Sequence, residues 1–75
     1  MSSTTQLDLI GVLGPVGLLK FTGSLSRLKP KDRLEILITD PDVVLDLILI
    51  TERSNDRVVA SEEIADHYRI VIEKE

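Results

Sequence analysis

Apolar and polar residues alternate in four short blocks along the chain. Residues 6–10, QLDLI, set Leu7 and Leu9 on one face of a strand. Residues 33–39, RLEILIT, set Leu34, Ile36 and Ile38 on one face, with Glu35, Leu37 and Thr39 on the other. Residues 57–62, RVVASE, read as a third strand, and 67–73, HYRIVIE, as a fourth with Tyr68, Ile70 and Ile72 inward. A period of two is what a strand with one buried face requires. The linker Glu63–Asp66 suits a hairpin between the last two strands.

Two blocks follow the longer period of a helix. Over residues 15–28, PVGLLKFTGSLSRL, Leu18, Phe21, Leu25 and Leu28 form one apolar stripe. Pro15 suits the first helical position, where its missing N–H has no partner to lose. Gly17 and Gly23 weaken this helix by about 1 kcal/mol each against alanine, so it depends on tertiary packing. The second helix starts at Asp40-Pro41-Asp42 and runs to about Ser54. Asp40 caps it, Pro41 opens it, and Asp42 complements the positive end of its dipole. Asn55-Asp56 closes it, because asparagine tolerates the left-handed conformation that follows a helix. Val43, Leu47 and Ile50, with Val44 beside them, make its inner face.

The order β-α-β-α-β-β predicts an α/β (α+β) two-layer sandwich, with two helices on one face of a four-stranded mixed sheet. Its first crossover is expected to be right-handed. Residues 1–6 are expected to form a disordered tail, and residues 7–75 a single domain.

Composition narrows the chemistry. The chain has 75 residues, a formal charge of −4 and no cysteine. One small domain with one modest core follows from that length. The acidic balance argues against nucleic acid, and Arg27, Lys29, Lys31 and Arg33 make only a broken basic stretch. Without cysteine there is no disulfide, thiolate nucleophile, persulfide or thiolate-bound metal. His67 alone cannot build a histidine zinc site, and the only methionine is Met1. The apolar run 43–50, VVLDLILI, is too short to span a bilayer as a helix, which takes about 20 residues. MSSTTQ lacks the apolar core of a signal peptide, so a cytoplasmic location is expected.

The corner GVLGPVG, residues 11–17, joins the first strand to the first helix. It sits in a longer pattern: Leu7-Asp8, Gly11, Gly14-Pro15-Val16-Gly17, then Pro30-Lys31-Asp32, Asp40-Pro41 with Asp46, Val58, and Tyr68 with Ile72 and Lys74. This resembles the TusA/SirA-like sulfur carriers, whose pattern is L-D-x-x-G-x-x-C-P-x-P, a turn near x-P-G-D, D-P-x-x-x-x-D, G-H-x-V and a final Y-x-x-x-I-x-K strand. The resemblance covers residues 7–74 and implies the same sandwich. It also implies where the chain departs. The family cysteine, which carries a persulfide at a helix N-terminus, falls on Gly14. The second proline of the motif falls on Gly17, the turn glycine on Lys31, and the Gly-His pair on Asn55-Asp56.

With no thiol at position 14, the expected role is a cysteine-less, non-catalytic interaction or regulatory module related to sulfur-relay carriers, not an enzyme. The alternative is a carrier or ligand-binding protein that holds an anion or small ligand at the Gly14 helix N-terminus, with Val12 and Val16 lining it and Lys20 near. Glu62, Glu63, Asp66 and His67, and Asp40, Asp42 and Asp46, read better as solvated or capping residues than as acid-base or metal sites. Tyr68 reads as core or sheet surface, and Ser24 and Ser26 lack the partners of a nucleophile. No cofactor or metal is expected. Leu45, Ile48 and Leu49 point away from the inner face of the second helix and are the expected partner surface. The far face of the sheet, with Leu37, Val59 and Val71, reads as greasier than solvent requires. A protein partner or a homodimer is expected, and neither nucleic acid nor membrane.

Overall fold

The structure, a computed structural model, describes residues 3–75. Four strands, β1 (Thr4–Leu9), β2 (Arg33–Ile38), β3 (Arg57–Ile64) and β4 (His67–Glu73), form one sheet in the order β1-β2-β4-β3. Helices α1 (Pro15–Ser26) and α2 (Pro41–Arg53) complete the order β-α-β-α-β-β. β1 and β2 are parallel, and β4 is antiparallel to both β2 and β3. The sheet is therefore mixed, and β1, β2 and β3 run the same way. Each helix returns the chain from the end of one of these strands to the start of the next. Both helix N-termini therefore gather at the same end of the sheet.

The core lies between helices and sheet. Leu9, Phe21, Leu34, Ile36, Ile38, Leu47, Ile70 and Ile72 have no exposure at all. Fully burying a side chain of this size contributes about 1.5–3 kcal/mol. Along β2 buried and half-buried residues alternate, as the period of two predicts. On α1 the inner face is Gly17, Phe21 and Leu25, with Leu18 half-buried beside it; the helix ends at Ser26, short of the expected 28, and Leu28 is half-buried just beyond it. On α2 it is Val43, Val44, Leu47 and Thr51, and Ile50 is half-buried. Thr51 is polar yet fully buried, and its hydroxyl donates to the Leu47 carbonyl at 2.8 Å. That bond satisfies a group that burial would otherwise penalise.

Local chemistry sets the boundaries. The Asp40 carboxylate accepts from the Asp42 N–H at 3.0 Å and caps α2, whose first residue is Pro41. Asn55 follows the helix at φ 67, in the left-handed region. Lys31 holds φ 73 in the turn before β2, and its N–H donates to the Lys74 carbonyl at 2.8 Å. The Asp32 carboxylate closes that turn, accepting from the N–H groups of Ser3 at 3.0 Å and Lys29 at 3.1 Å. These bonds hold the Asp32 carboxyl below its usual range.

Three further expectations need correction. β1 starts at Thr4, so residues 4–6 belong to the sheet and not to a tail; Thr4, Thr5 and Gln6 pair with Arg33, Leu34 and Glu35. Residues 1 and 2 lie outside the described residues. The β3–β4 turn is only Ala65-Asp66, since Glu63 and Ile64 still pair with Tyr68 and His67. Finally, the far face is not a bare apolar surface. Val71 is buried, Leu37 and Val59 are half-buried, and charged side chains from neighbouring strands surround them. Arg69 reaches Glu35 at 2.6 Å and Glu62 at 2.9 Å, and Glu35 also accepts from Gln6 at 2.8 Å. Glu73 takes Arg33 at 3.2 Å and Arg57 at 3.4 Å. A lattice of side chains across four strands replaces a second layer of helices.

Candidate functional site

The strand-to-helix corner is built by residues 9–17. Val12 turns back to donate to the Leu9 carbonyl at 3.1 Å, and its side chain packs on the core. Asp8 fixes the exit of β1 by accepting from the Ile10 N–H at 2.9 Å. Gly11 has φ 76 and donates to the Thr39 hydroxyl at 2.9 Å. Pro15 then opens α1.

Gly14 stands at the N-cap of α1 with φ 64 and ψ −146, close to the region only glycine enters readily. Among the described residues, no side chain caps this helix. The Gly14 N–H instead donates to Oδ2 of Asp40 at 3.2 Å, while Oδ1 of the same carboxylate caps α2. One carboxylate thus serves two neighbouring helix N-termini. Its charge suits both dipoles, and it occupies the donor that an anion at Gly14 would need. A Cβ at Gly14 would meet nothing within 4 Å, so the obstacle to a side chain there is the backbone conformation and not space. At Gly17 the opposite holds: a Cβ would lie 3.4 Å from Val43 Cγ1, where α1 approaches α2.

Apolar side chains reach solvent both in the corner and on α2. Leu13 is 70% exposed and Val16 52%, and on the outer side of α2 Leu45 is 63% and Leu49 50% exposed. Ile48, expected with the last two, is half-buried and packs against the core. An α-helix places residues 47 and 48 only 100° apart, so Ile48 shares the flank of Leu47.

The other candidate residues do not assemble. Among the described residues, no group of three or more histidine or acidic side chains is placed to hold a metal. Asp40 is engaged as a cap, and Asp42 and Asp46 are exposed. Glu62 is engaged by Arg69. Asp66 is exposed in the hairpin, and the ring of His67, 3.3 Å away, holds its carboxyl below the usual range. Ser26 donates to the Gly23 carbonyl within its own helix at 2.8 Å. Tyr68 is half-buried against the core. Sequence reasoning missed the lattice centred on Arg69 and the double use of Asp40. Both join residues far apart in the chain, and no local spacing signals them.

The order β-α-β-α-β-β in two layers, with a Gly-Pro start to the first helix, makes this an α+β sandwich protein. The family described as sulfurtransferase TusA matches residues 5–74, and the chain belongs to it. Proteins of this family are sulfur-relay carriers that interact with partner proteins. No curated protein matches the chain. Among the described residues, no helix is long and apolar enough to cross a membrane.

Proposed function

We propose that this protein acts by association within a sulfur-relay system, as a cytoplasmic, non-catalytic interaction or regulatory module, and not by carrying sulfur itself. The observation that carries this reading is position 14. The residue that would bear the persulfide is a glycine in a glycine-specific conformation, with its N–H closed by the Asp40 carboxylate. A persulfide needs a sulfur nucleophile, and the chain has no cysteine. Exposed apolar surface remains at Leu13 and Val16 in the corner, and at Leu45 and Leu49 on the outer side of α2. Apolar area removed from water contributes about 25 cal/mol per Å², enough for a protein partner to gain from covering it.

Holding an anion at Gly14 is the weaker reading. An incoming anion would meet the Asp40 carboxylate, where like charges repel, and would have to displace it from the Gly14 N–H.

The test is a native pull-down of wild type beside the Leu45→Glu, Leu49→Glu variant, both shown to be folded by circular dichroism, with mass spectrometry of the retained proteins. Retention of a sulfur-relay protein by wild type and its loss from the variant is the expected result. Equal retention by both would remove the exposed face of α2 from the interaction. Phosphate titrated against wild type should leave the Gly14 amide resonance unmoved; a saturable shift would favour the anion reading.

A further inference from the structure

A second surface, away from the Gly14 corner, has the parts of a peptide-binding groove. Among the described residues β1 is an edge strand, paired only with β2. Within a strand the N–H and C=O of one residue point to the same side, and successive residues alternate. The Ser3 carbonyl accepts from Arg33 at 2.8 Å and the Ser3 N–H donates to Asp32, so Ser3 faces β2. Alternation then turns the backbone groups of Thr4, Gln6 and Asp8 outward along the open edge.

Above this edge lies a groove of about 280 Å³ between β1 and the outer flank of α1, lined by Leu7, Leu19, Lys20, Gly23, Ser24 and Arg27. Leu19 is 73% exposed over it. A Cβ at Gly23 would meet nothing within 4 Å, so the small residue leaves room in the groove. Lys20 and Arg27 are its charged members, and among the described residues neither forms an ion pair. An open strand edge beside a side-chain pocket under a helix is the arrangement by which extended peptides add to sheets.

We infer that the β1 edge and the α1 flank bind an extended protein segment of the form acid-x-apolar-x-acid, which adds as a fifth strand beside β1. The apolar residue enters the groove at Leu7, Leu19 and Gly23, and the two carboxylates meet Lys20 and Arg27. Spacing supports this form. Seven residues of helix separate the two cations by about 10.5 Å along the axis. Residues four apart on a strand lie about 13 Å apart and face the same side, a difference that long side chains span. A second copy of this chain fits less well. Two-fold pairing of β1 edges would bring Lys20 and Arg27 of both copies to one seam, where like charges repel. The opposite edge is a poorer site, because β3 is irregular between Val58 and Ala60.

The probe is a fluorescein-labelled, capped heptapeptide, Thr-Glu-Thr-Leu-Thr-Glu-Thr, beside the same peptide with lysine for glutamate, titrated against the full chain by fluorescence anisotropy. Binding of the glutamate peptide alone, weakening as salt screens the charges, is expected. Gly23→Leu fills the groove and removes a helix-interior glycine, so the variant should melt higher yet bind at least about tenfold more weakly. Lys20→Glu with Arg27→Glu should reverse the preference to the lysine peptide. Amide shifts on binding should centre on Thr4, Gln6 and Asp8. The proposal is overturned by equal binding of both peptides, by undiminished binding to a folded Gly23→Leu, by shifts centred on Leu13 and Leu45, or by a chain that dimerises through β1 and takes no peptide.

Discussion

α1 and α2 are neighbours of nearly equal length in one layer, yet they are held in place differently. α2 carries its own instructions: a capping Asp40, Pro41 at its start, Asp42 in the first turn and Arg53 in the last. α1 has Pro15 but no side-chain cap, no acid in its first turn and no base in its last, and two glycines lie within it. What α1 lacks locally it receives from elsewhere. Asp40, from the start of the other helix, accepts the N–H of Gly14, and Asp32 closes the turn after α1. Gly14 therefore lies at the start of the helix that depends most on tertiary support. Side chains facing that corner can hold a backbone in place of a chemical group.

The strongest way to break this asymmetry is Gly14→Ala. A β-carbon is unhindered there, but φ 64 with ψ −146 is foreign to alanine, so the variant should lose about 1–3 kcal/mol in chemical denaturation. An unchanged midpoint would mean that the corner moves freely to another conformation. Asp40→Ala comes next, with an expected loss of about 0.5–2 kcal/mol for the α2 cap alone. Because the same carboxylate holds Gly14, amide exchange should quicken at the start of both helices. Acceleration confined to α2 would show that the Gly14 contact contributes nothing.

Gly23→Ala runs the other way. The site is helical and open, so alanine should stabilise by about 0.5–1 kcal/mol, and a rise in melting temperature measures it. The smallest expected effect is that of acid. Asp32 is held below its ordinary 3.8 by the N–H groups of Ser3 and Lys29, and Glu35 below its ordinary 4.5 by Gln6 and then Arg69. A folded value below the unfolded one means stabilisation that is full above those ordinary values. It is lost as pH falls through the lower, folded ones. Asp32 and Glu35 tie β1 to its surroundings, so amide exchange in β1 should quicken at low pH before that of α2; the reverse order would contradict the assignment.

The same asymmetry explains what could be read from the sequence. Every boundary of α2 was legible, because Asp40, Pro41 and Asn55 act within one turn of themselves. The buried faces of β2 and β4 were legible from alternation. The place of Gly14 before Pro15, at the start of α1, was legible at once. Its conformation was not, because that rests on a bond to a residue 26 positions away. Nor was Lys31 legible as a left-handed residue, since lysine has no propensity that announces one. The far face misled for a related reason. Leu37, Val59 and Val71 look bare until register brings Glu35, Arg69 and Glu62 alongside, and β3 is irregular between Val58 and Ala60.

That irregularity in β3 bears on how the molecule can assemble. A sheet grows without limit only if each added unit presents a fresh edge like the one just covered. Here one border is regular and the other is broken between Val58 and Ala60 and carries Glu62 and Glu63. In the terms of polymer chemistry the subunit has one reactive end and one blunted end. Pairing at β1 then leaves only the blunted β3 border for the next subunit, which works against growth into fibres.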